Sequence, residues 1–470
     1  MTQLGPQLVS RHLPGPRARA IVARDTRAIS SSYTRGYPLV VSHGRGSTLW
    51  DVDGNRFLDM TAGIAVGSTG HSHPRVVRAI REQAGRFLHM SGTDFYYDVE
   101  VRLAERLGGL APGRADKKVF FCNSGAEAVE CAMKLARYQT RRPLFLAFYG
   151  SFHGRTFGSL ALTASKAVQR RGFAPLAPQV SHVPFADCRR CVFNLKYPSC
   201  GFACVSFIED YVFAKQTPPE DVAAMFVEPI QGEGGYVVPP PGYFERLRAL
   251  CKKYGILFVV DEIQSGLGRT GKWWAIEHWD AVPDVLTIAK GIASGLPLGA
   301  CVSTAELMSW PPGSHGNTFG GNPVACAAAL TTLDLVEEKL LANAHRVGDF
   351  MRRELTAMVE RHPHLGWVSG MGLMLALEFV AEPGTNRGDH DRRDEVVLEA
   401  FERGLLLLGA GPSAIRFCPP LVLTRTEAQI ALEILEDAVG AVEAKRARRA
   451  AAAGGARRRG RSPRRGGRGT

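Results

Sequence analysis

The chain has no apolar run approaching the ~18 residues that a membrane-spanning helix needs. Its first twenty residues, MTQLGPQLVSRHLPGPRARA, contain no continuous apolar stretch of the secretory kind. A cytoplasmic protein without a membrane partner is therefore expected. Cysteine is sparse, 10 in 470 residues, too few for a disulfide-stapled secreted scaffold, and most of the cysteines sit in apolar segments. No internal repeat is present, which excludes solenoids and propellers. Acidic residues are missing from one region: between Ala444 and Thr470 there is no Asp or Glu against eleven Lys and Arg. The formal charge of +13 (58 − 45) thus falls to about +2 for the preceding residues. The excess cation is a tail, and the body is nearly neutral.

Two chemical signatures are also incomplete. His71 and His73 have no neighbouring Cys, Asp or Glu to finish a ligand set, so no metal is assigned. Gly266-Leu267-Gly268-Arg269-Thr270-Gly271 spells G-x-G-x-x-G, but it runs into Lys272-Trp273-Trp274 rather than a small-residue helix, which excludes a dinucleotide fingerprint.

What remains is an ordinary globular composition, 45% apolar and 22% charged, long enough for two or three domains. Short β-rich runs at Lys118–Cys122, Leu144–Phe148, Met225–Ile230, Ile256–Val260 and Val285–Ile288 are separated by helical periods, notably Ala126–Tyr138 and Tyr243–Lys253. That alternation predicts an α/β fold with a mostly parallel sheet covered on both faces. Trp50 to Gly54 carries a hairpin signal, and 323–361 reads as one long helix. The expected division is an N-terminal segment (1–65) packing with a small α+β domain (336–443), a large domain (66–335) and a basic disordered tail (444–470).

Three strand ends carry chemistry. Lys290 closes an apolar strand and precedes a glycine; desolvation there lowers a lysine toward the neutral amine that forms Schiff bases, although a strand-end lysine also snorkels to solvent. Asp261 ends another buried strand, where open α/β sheets bind ligands. A carboxylate there keeps a heterocyclic nitrogen protonated, or it serves as a cap or salt-bridge partner. Asn123-Ser124-Gly125-Ala126-Glu127 runs from strand to helix; it offers amides to a phosphate, or is simply an N-cap with Glu127 completing a capping box.

Cradle, acid and lysine in this order resemble the class III (ω-amino acid) aminotransferases of pyridoxal-phosphate fold type I. Further matching motifs are Trp50-Asp51-Val52-Asp53-Gly54, Phe152-His153-Gly154-Arg155-Thr156, Glu228-Pro229-Ile230-Gln231-Gly232-Glu233-Gly234-Gly235 and Thr318-Phe319-Gly320-Gly321-Asn322-Pro323. The resemblance implies that pyridoxal 5'-phosphate is carried by Lys290, which also shuttles the reacting proton. It implies that Asp261 pairs with the ring nitrogen, that Gln264 bonds the ring hydroxyl oxygen, and that Phe152 and Ile263 sandwich the ring. Ser124, Gly125 and Ala126 would hold the phosphate together with Thr318 of a neighbouring subunit, making a homodimer or a dimer of dimers the functional unit. Arg416 would grip the α-carboxylate of glutamate, masked by Glu233 when an ω-amine enters. Arg155 would meet the distal carboxylate, and Tyr33 and Ile64 would be pocket walls.

The implied reaction moves an amino group from an ω-amino acid of the 4-aminobutyrate, ornithine or acetylornithine type to 2-oxoglutarate, a 2-oxo acid acceptor. Racemisation of an amino acid on the same fold is the alternative, because a subgroup with Tyr197-Pro198-Ser199-Cys200-Gly201 is similar to both. A binding reading, nucleic-acid association, rests on the tail alone. Cys188, Cys191, Cys200 and Cys204 are spaced C-x2-C-x8-C-x3-C, which is open to a zinc or cluster site, a labile disulfide or reduced packing cysteines.

Overall fold

Three sheets organise residues 5–177 and 179–459, which the computed structural model describes. Near the N-terminus, β1 (Val41–Arg45), β2 (Thr48–Asp51) and β3 (Arg56–Asp59) form an antiparallel ribbon. The turn between β2 and β3 is the one expected from Trp50 to Gly54: the Asp51 carboxylate accepts from the backbone N–H of Asp53 at 3.0 Å and of Asn55 at 2.8 Å, an Asx-type closure.

The large sheet contains β4 (Lys117–Cys122), β5 (Leu144–Phe148), β6 (Val180–Val183), β7 (Val222–Val227), β8 (Leu257–Asp261), β9 (Val285–Ile288) and β10 (Gly299–Thr304). Its order is β4-β10-β9-β8-β7-β5-β6. Strands β5 to β9 run parallel, whereas β10 is antiparallel to both of its neighbours. All six residues of β7 are buried, as befits a strand covered on both faces. Strand β7 stops at Val227, short of the expected Ile230, because Pro229 cannot donate to a ladder. Strands β6 and β10 were not legible as strands. The latter is Gly-Ala-Cys-Val-Ser-Thr, and its Gly299 is required by packing: a Cβ there would stand 2.6 Å from the Ser124 carbonyl oxygen.

The third sheet joins β11 (Leu365–Met371), β12 (Met374–Phe379), β14 (Leu408–Ala410) and β15 (Ala414–Phe417), while β13 (Leu405–Leu406) leaves it to pair in parallel with β3. The N-terminal ribbon is thereby extended by a strand from the C-terminal part. The pattern across 323–361 is helical throughout, with a π turn at Val336–Leu340 between helices Pro323–Leu335 and Leu341–Arg361.

The expected disordered tail departs from the structure at its start. The last helix runs from Arg425 to Arg459 without ending at residue 443. The first basic residues of the tail are paired with acids near and on the helix His390–Phe401: Lys445 meets Glu399 at 2.5 Å, and Arg446 meets Glu395 at 2.8 Å and Asp389 at 3.1 Å. The rest of the basic segment, 460–470, lies outside the described residues. Among the described residues no helix is long and apolar enough to cross a membrane.

Candidate active site

The carboxyl ends of β4, β5, β7, β8 and β9 converge on one cleft of about 430 Å³. Open α/β sheets place ligands at such ends, where loops diverge and leave space. Ser124, Gly125, Ala126, Phe152, Arg155, Asp261, Ile263, Gln264 and Lys290 all line it. Nine of the residues singled out from sequence are thus brought together from positions 166 apart in the chain.

After β4 the chain enters the helix Gly125–Thr140, with Ser124 as its N-cap accepting from the Glu127 N–H at 3.3 Å. The expected reciprocal bond differs. Glu127 accepts from the backbone and side-chain amides of Asn123, at 2.6 and 3.0 Å, one residue before the cap. The opening amides of the helix, at Gly125 and Ala126, have no intrahelical acceptor, as in any helix start, and suit an anion. Gly125 packs closely against Ile263: a Cβ would stand 2.8 Å from Ile263 Cδ1, so a larger residue would have to push that side chain aside.

After β5, Phe152 donates its N–H to Glu228 Oε1 at 2.8 Å, which holds the main chain that carries its ring at the cleft. His153, next in sequence and also lining the cleft, reaches Asp261 Oδ2 through Nδ1 at 2.7 Å. The second Asp261 oxygen accepts from the Ile263 N–H at 3.0 Å. Burial pushes the His153 imidazole toward its neutral form, but its bond to Asp261 and the charges of Asp261 and Glu228 together raise it above the usual histidine range. Glu228 is itself pushed up to about 7, chiefly by burial. His153 and Glu228 carried no assigned role in the sequence reading. Both lie inside quoted motifs, but only the fold shows that residues 153 and 261 touch.

Gln264 is buried, with its carbonyl oxygen accepting from the Tyr236 hydroxyl at 3.1 Å. Lys290 follows β9 with φ +46°, a left-handed conformation rare for a side-chain-bearing residue and typical of functional turns. Burial lowers its pKa; Asp261, Glu233 and Glu228 oppose that shift and Arg416 reinforces it. Arg416, buried on β15, is ion-paired with Glu233. Burial opposes the Glu233 carboxylate, but Arg416 outweighs it and holds that group below the usual range. The Arg416 Nε is buried without a partner among the described residues.

Five expected residues are not among those lining this cleft: Glu233 and Arg416, which are paired with each other, and Thr318, Tyr33 and Ile64. Thr318 is exposed beside Phe319, which is 60% exposed. Tyr33 is exposed and stacked beneath the Arg35 guanidinium at 4.9 Å, in a segment that hugs the surface. Ile64 sits in a left-handed turn at φ +68°, which turns its side chain outward. Tyr33 and Ile64 are therefore not walls of this chain's own cleft.

These donors fit pyridoxal phosphate: helix-start amides for a phosphate, a carboxylate for a pyridinium nitrogen, an aromatic and an aliphatic side chain for two ring faces, and an amine lowered toward its neutral form. Bound there, the cofactor withdraws electrons from the substrate carbon, and the chain supplies position and protons.

The same conclusion comes from known proteins. Residues 29–439 match the family described as Aminotransferase class-III. The chain is 40% identical over 449 residues to the alanine/serine racemase of Pyrococcus horikoshii, covering 92% of this chain and 93% of that one. It is 41% identical over 413 residues to the acetylornithine aminotransferase of Methanopyrus kandleri, covering 87% and 96%. In structure it resembles an amine transaminase from an uncultivated Pseudomonas species in PLP-bound form, with a TM-score of 0.81, 32% identity, and coverage of 88% and 98%. The chain belongs to the class-III aminotransferases, with an α/β fold of type I and pyridoxal phosphate as its cofactor.

Proposed function

We propose that this enzyme transfers the amino group of an ω-amino acid to 2-oxoglutarate. The observation that carries the reading is the buried Arg416–Glu233 pair beside Lys290. A single fixed cation would bind only α-carboxylates. An arginine whose charge is covered by a movable glutamate serves both halves of the reaction: closed, it tolerates the amine end of an ω-amino acid, which has no carboxylate on the reacting carbon, and open, it offers its planar fork to the α-carboxylate of glutamate. In the same reading Arg155, which lines the cleft 5.8 Å from the Phe152 ring centroid, binds the distal carboxylate.

In this reading Lys290 anchors the cofactor and moves the substrate proton, and Asp261, oriented by His153, holds a proton on the ring nitrogen. Gln264 bonds the ring oxygen. Phe152 and Ile263 keep the ring flat, and Ser124, Gly125 and Ala126 bind the phosphate. Thr318, exposed and outside its own cleft, is free to complete the phosphate site of a second copy, so a cytoplasmic homodimer, or a dimer of dimers, is the proposed unit.

The similarity to an alanine/serine racemase favours a second reading, amino-acid racemisation, which also needs Lys290 and Asp261. A panel of amines run with and without 2-oxoglutarate separates the two. Glutamate formed only with the acceptor supports transamination; D-amino acid formed without any acceptor supports racemisation.

A further inference from the structure

The Glu233 carboxylate has two cationic neighbours. Its Oε1 accepts from the Arg416 guanidinium, and its Oε2 lies 3.9 Å from Lys166 Nζ. The two cations differ in their surroundings: Arg416 is buried on β15, whereas the Lys166 side chain is 46% exposed. Glu233 stands between them at 15% exposure. Among the described residues Lys166 pairs with no other carboxylate.

Lys166 is brought to this place by the turn that leads into Phe152. The Gly150 N–H donates to the Ala164 carbonyl at 3.0 Å, and the Ala164 N–H donates to the Ser151 carbonyl at 2.9 Å. Lys166 thus follows a segment clamped to the loop after β5. Gln231 Nε2 donates to the Tyr149 carbonyl at 2.9 Å, which ties that loop to the segment bearing Glu233. The main chain around Glu233 is itself held: the Gly232 N–H donates to Glu228 Oε2 at 2.9 Å, and the Glu233 carbonyl accepts from the Gly411 N–H at 3.0 Å. With the backbone anchored on both sides, movement of the carboxylate falls to the side chain, whose Oε2 already faces the lysine.

A carboxylate displaced from a buried arginine is costly to leave unpaired. Burial opposes the Glu233 charge, Arg416 outweighs it, and Lys166 and Lys290 act in the same direction as Arg416. Lys290 is committed to the cofactor, which leaves Lys166 as the cation on the open side.

We propose that Lys166 is a positioning residue that receives the Glu233 carboxylate when the α-carboxylate of glutamate replaces it on Arg416. It thereby sets how evenly the enzyme accepts glutamate and an ω-amine. The inference rests on the transaminase reading above. Closed, Glu233 is shared between both cations; open, Arg416 holds the substrate and Lys166 holds Glu233, so no charge is left without a partner. A lysine suits this place because its flexible stem follows a moving carboxylate while its head stays hydrated.

The test is single-turnover bleaching of the cofactor absorbance in the full-length holoenzyme. L-Glutamate is compared with the ω-amine that the wild type consumes, 4-aminobutyrate or L-ornithine, in the wild type, Lys166→Met, Lys166→Arg and Arg416→Ala. A concentration series gives an apparent Kd and a limiting rate for each substrate. Lys166→Met should lower the glutamate-to-ω-amine ratio of specificity constants about fivefold, the scale of one half-exposed ion pair. The loss should lie in the apparent Kd for glutamate and not in the limiting rate. Lys166→Arg, which keeps the charge, should return the ratio to within about twofold of wild type. A ratio unchanged in Lys166→Met but lowered in Arg416→Ala overturns the role of Lys166 and leaves the transaminase reading standing. Equal losses with both substrates also overturn it, because they mark a structural role. A wild-type cofactor left unbleached by glutamate, or by both ω-amines, removes the transaminase reading and this proposal with it.

Discussion

His153 Nδ1 lies 2.7 Å from Asp261 Oδ2, and both side chains are buried, at 2% and 3% exposure. The carboxylate at the end of β8 is thus held by a neighbour 108 residues away in the chain. That neighbour fixes the oxygen that would face a ring nitrogen. A hydrogen bond to a charged group contributes about 1.5–3 kcal/mol, so His153→Leu should cut kcat/KM by ~10–100-fold. His153→Asn, whose amide can replace the Nδ1 donor, should recover part of that loss. A positioning role further requires that His153→Leu shift the pH profile of the bound cofactor's absorbance; an unchanged profile would count against it. Asp261→Asn should cost more than either.

Lys290 is the one amine in the cleft whose pKa is lowered by burial. Lys290→Ala should remove the covalent cofactor's absorbance and reduce turnover to background. Sustained turnover by this variant would refute its assignment.

Arg416→Ala should act unequally on the two half-reactions. Losing a charge-assisted contact to an α-carboxylate costs about 1.5–3 kcal/mol, or ~10–100-fold in kcat/KM for glutamate, while the ω-amine should lose far less. Single-turnover rates with each substrate provide the comparison. Equal losses would mean that Arg416 is structural.

Glu262 gives a pH prediction away from the chemistry. It is fully buried, accepts from Ser265 Oγ at 2.6 Å and the Ile276 N–H at 2.7 Å, and is pushed up to about 7, chiefly by burial. Because the fold keeps this proton at pH values where the unfolded chain releases it, folding loses stability as pH rises from about 4.5 to 7 and is level above that. Glu262→Gln mimics the protonated form. Across that window the wild type should lose on the order of 3 kcal/mol relative to the variant in urea unfolding. Parallel curves would contradict the buried-proton account.

Ending the chain after Glu443 removes the pairs from Lys445 and Arg446 to Glu399, Glu395 and Asp389. Each of these part-exposed pairs contributes under about 1 kcal/mol. Turnover should stay within about twofold, because surface changes remote from the cleft have small effects, and salt-sensitive retention on heparin should fall. Undiminished retention would show that the basic segment is not what binds polyanions.

The strands at Leu144–Phe148 and Val285–Ile288 were readable to the residue, because buried parallel strands are short apolar runs with polar ends. Lys290, Asp261 and the Ser124 cradle were readable for the same reason, since each follows directly on such a run. Strand β10 was hidden because small residues packed against Ser124 carry no β signal. The His153–Asp261 contact was hidden because pairing across a sheet leaves no spacing in the sequence. The helix through residue 444 was missed because its partners, Glu395 and Glu399, lie on another helix, and a run of Arg and Ala looks the same whether it is free or paired.

In transamination, nitrogen leaves one carbon skeleton and arrives on another. Nitrogen-15 tracing tests it most directly: the enzyme is incubated with ¹⁵N-labelled 4-aminobutyrate or ornithine, each supplied with unlabelled 2-oxoglutarate, and with ¹⁵N-labelled L-alanine alone. A transaminase of ω-amines yields ¹⁵N-glutamate in proportion to the ω-amine consumed and leaves the alanine sample unchanged. Conversion of L-alanine to D-alanine with its ¹⁵N retained, and no labelled glutamate from either ω-amine, would contradict the transaminase reading.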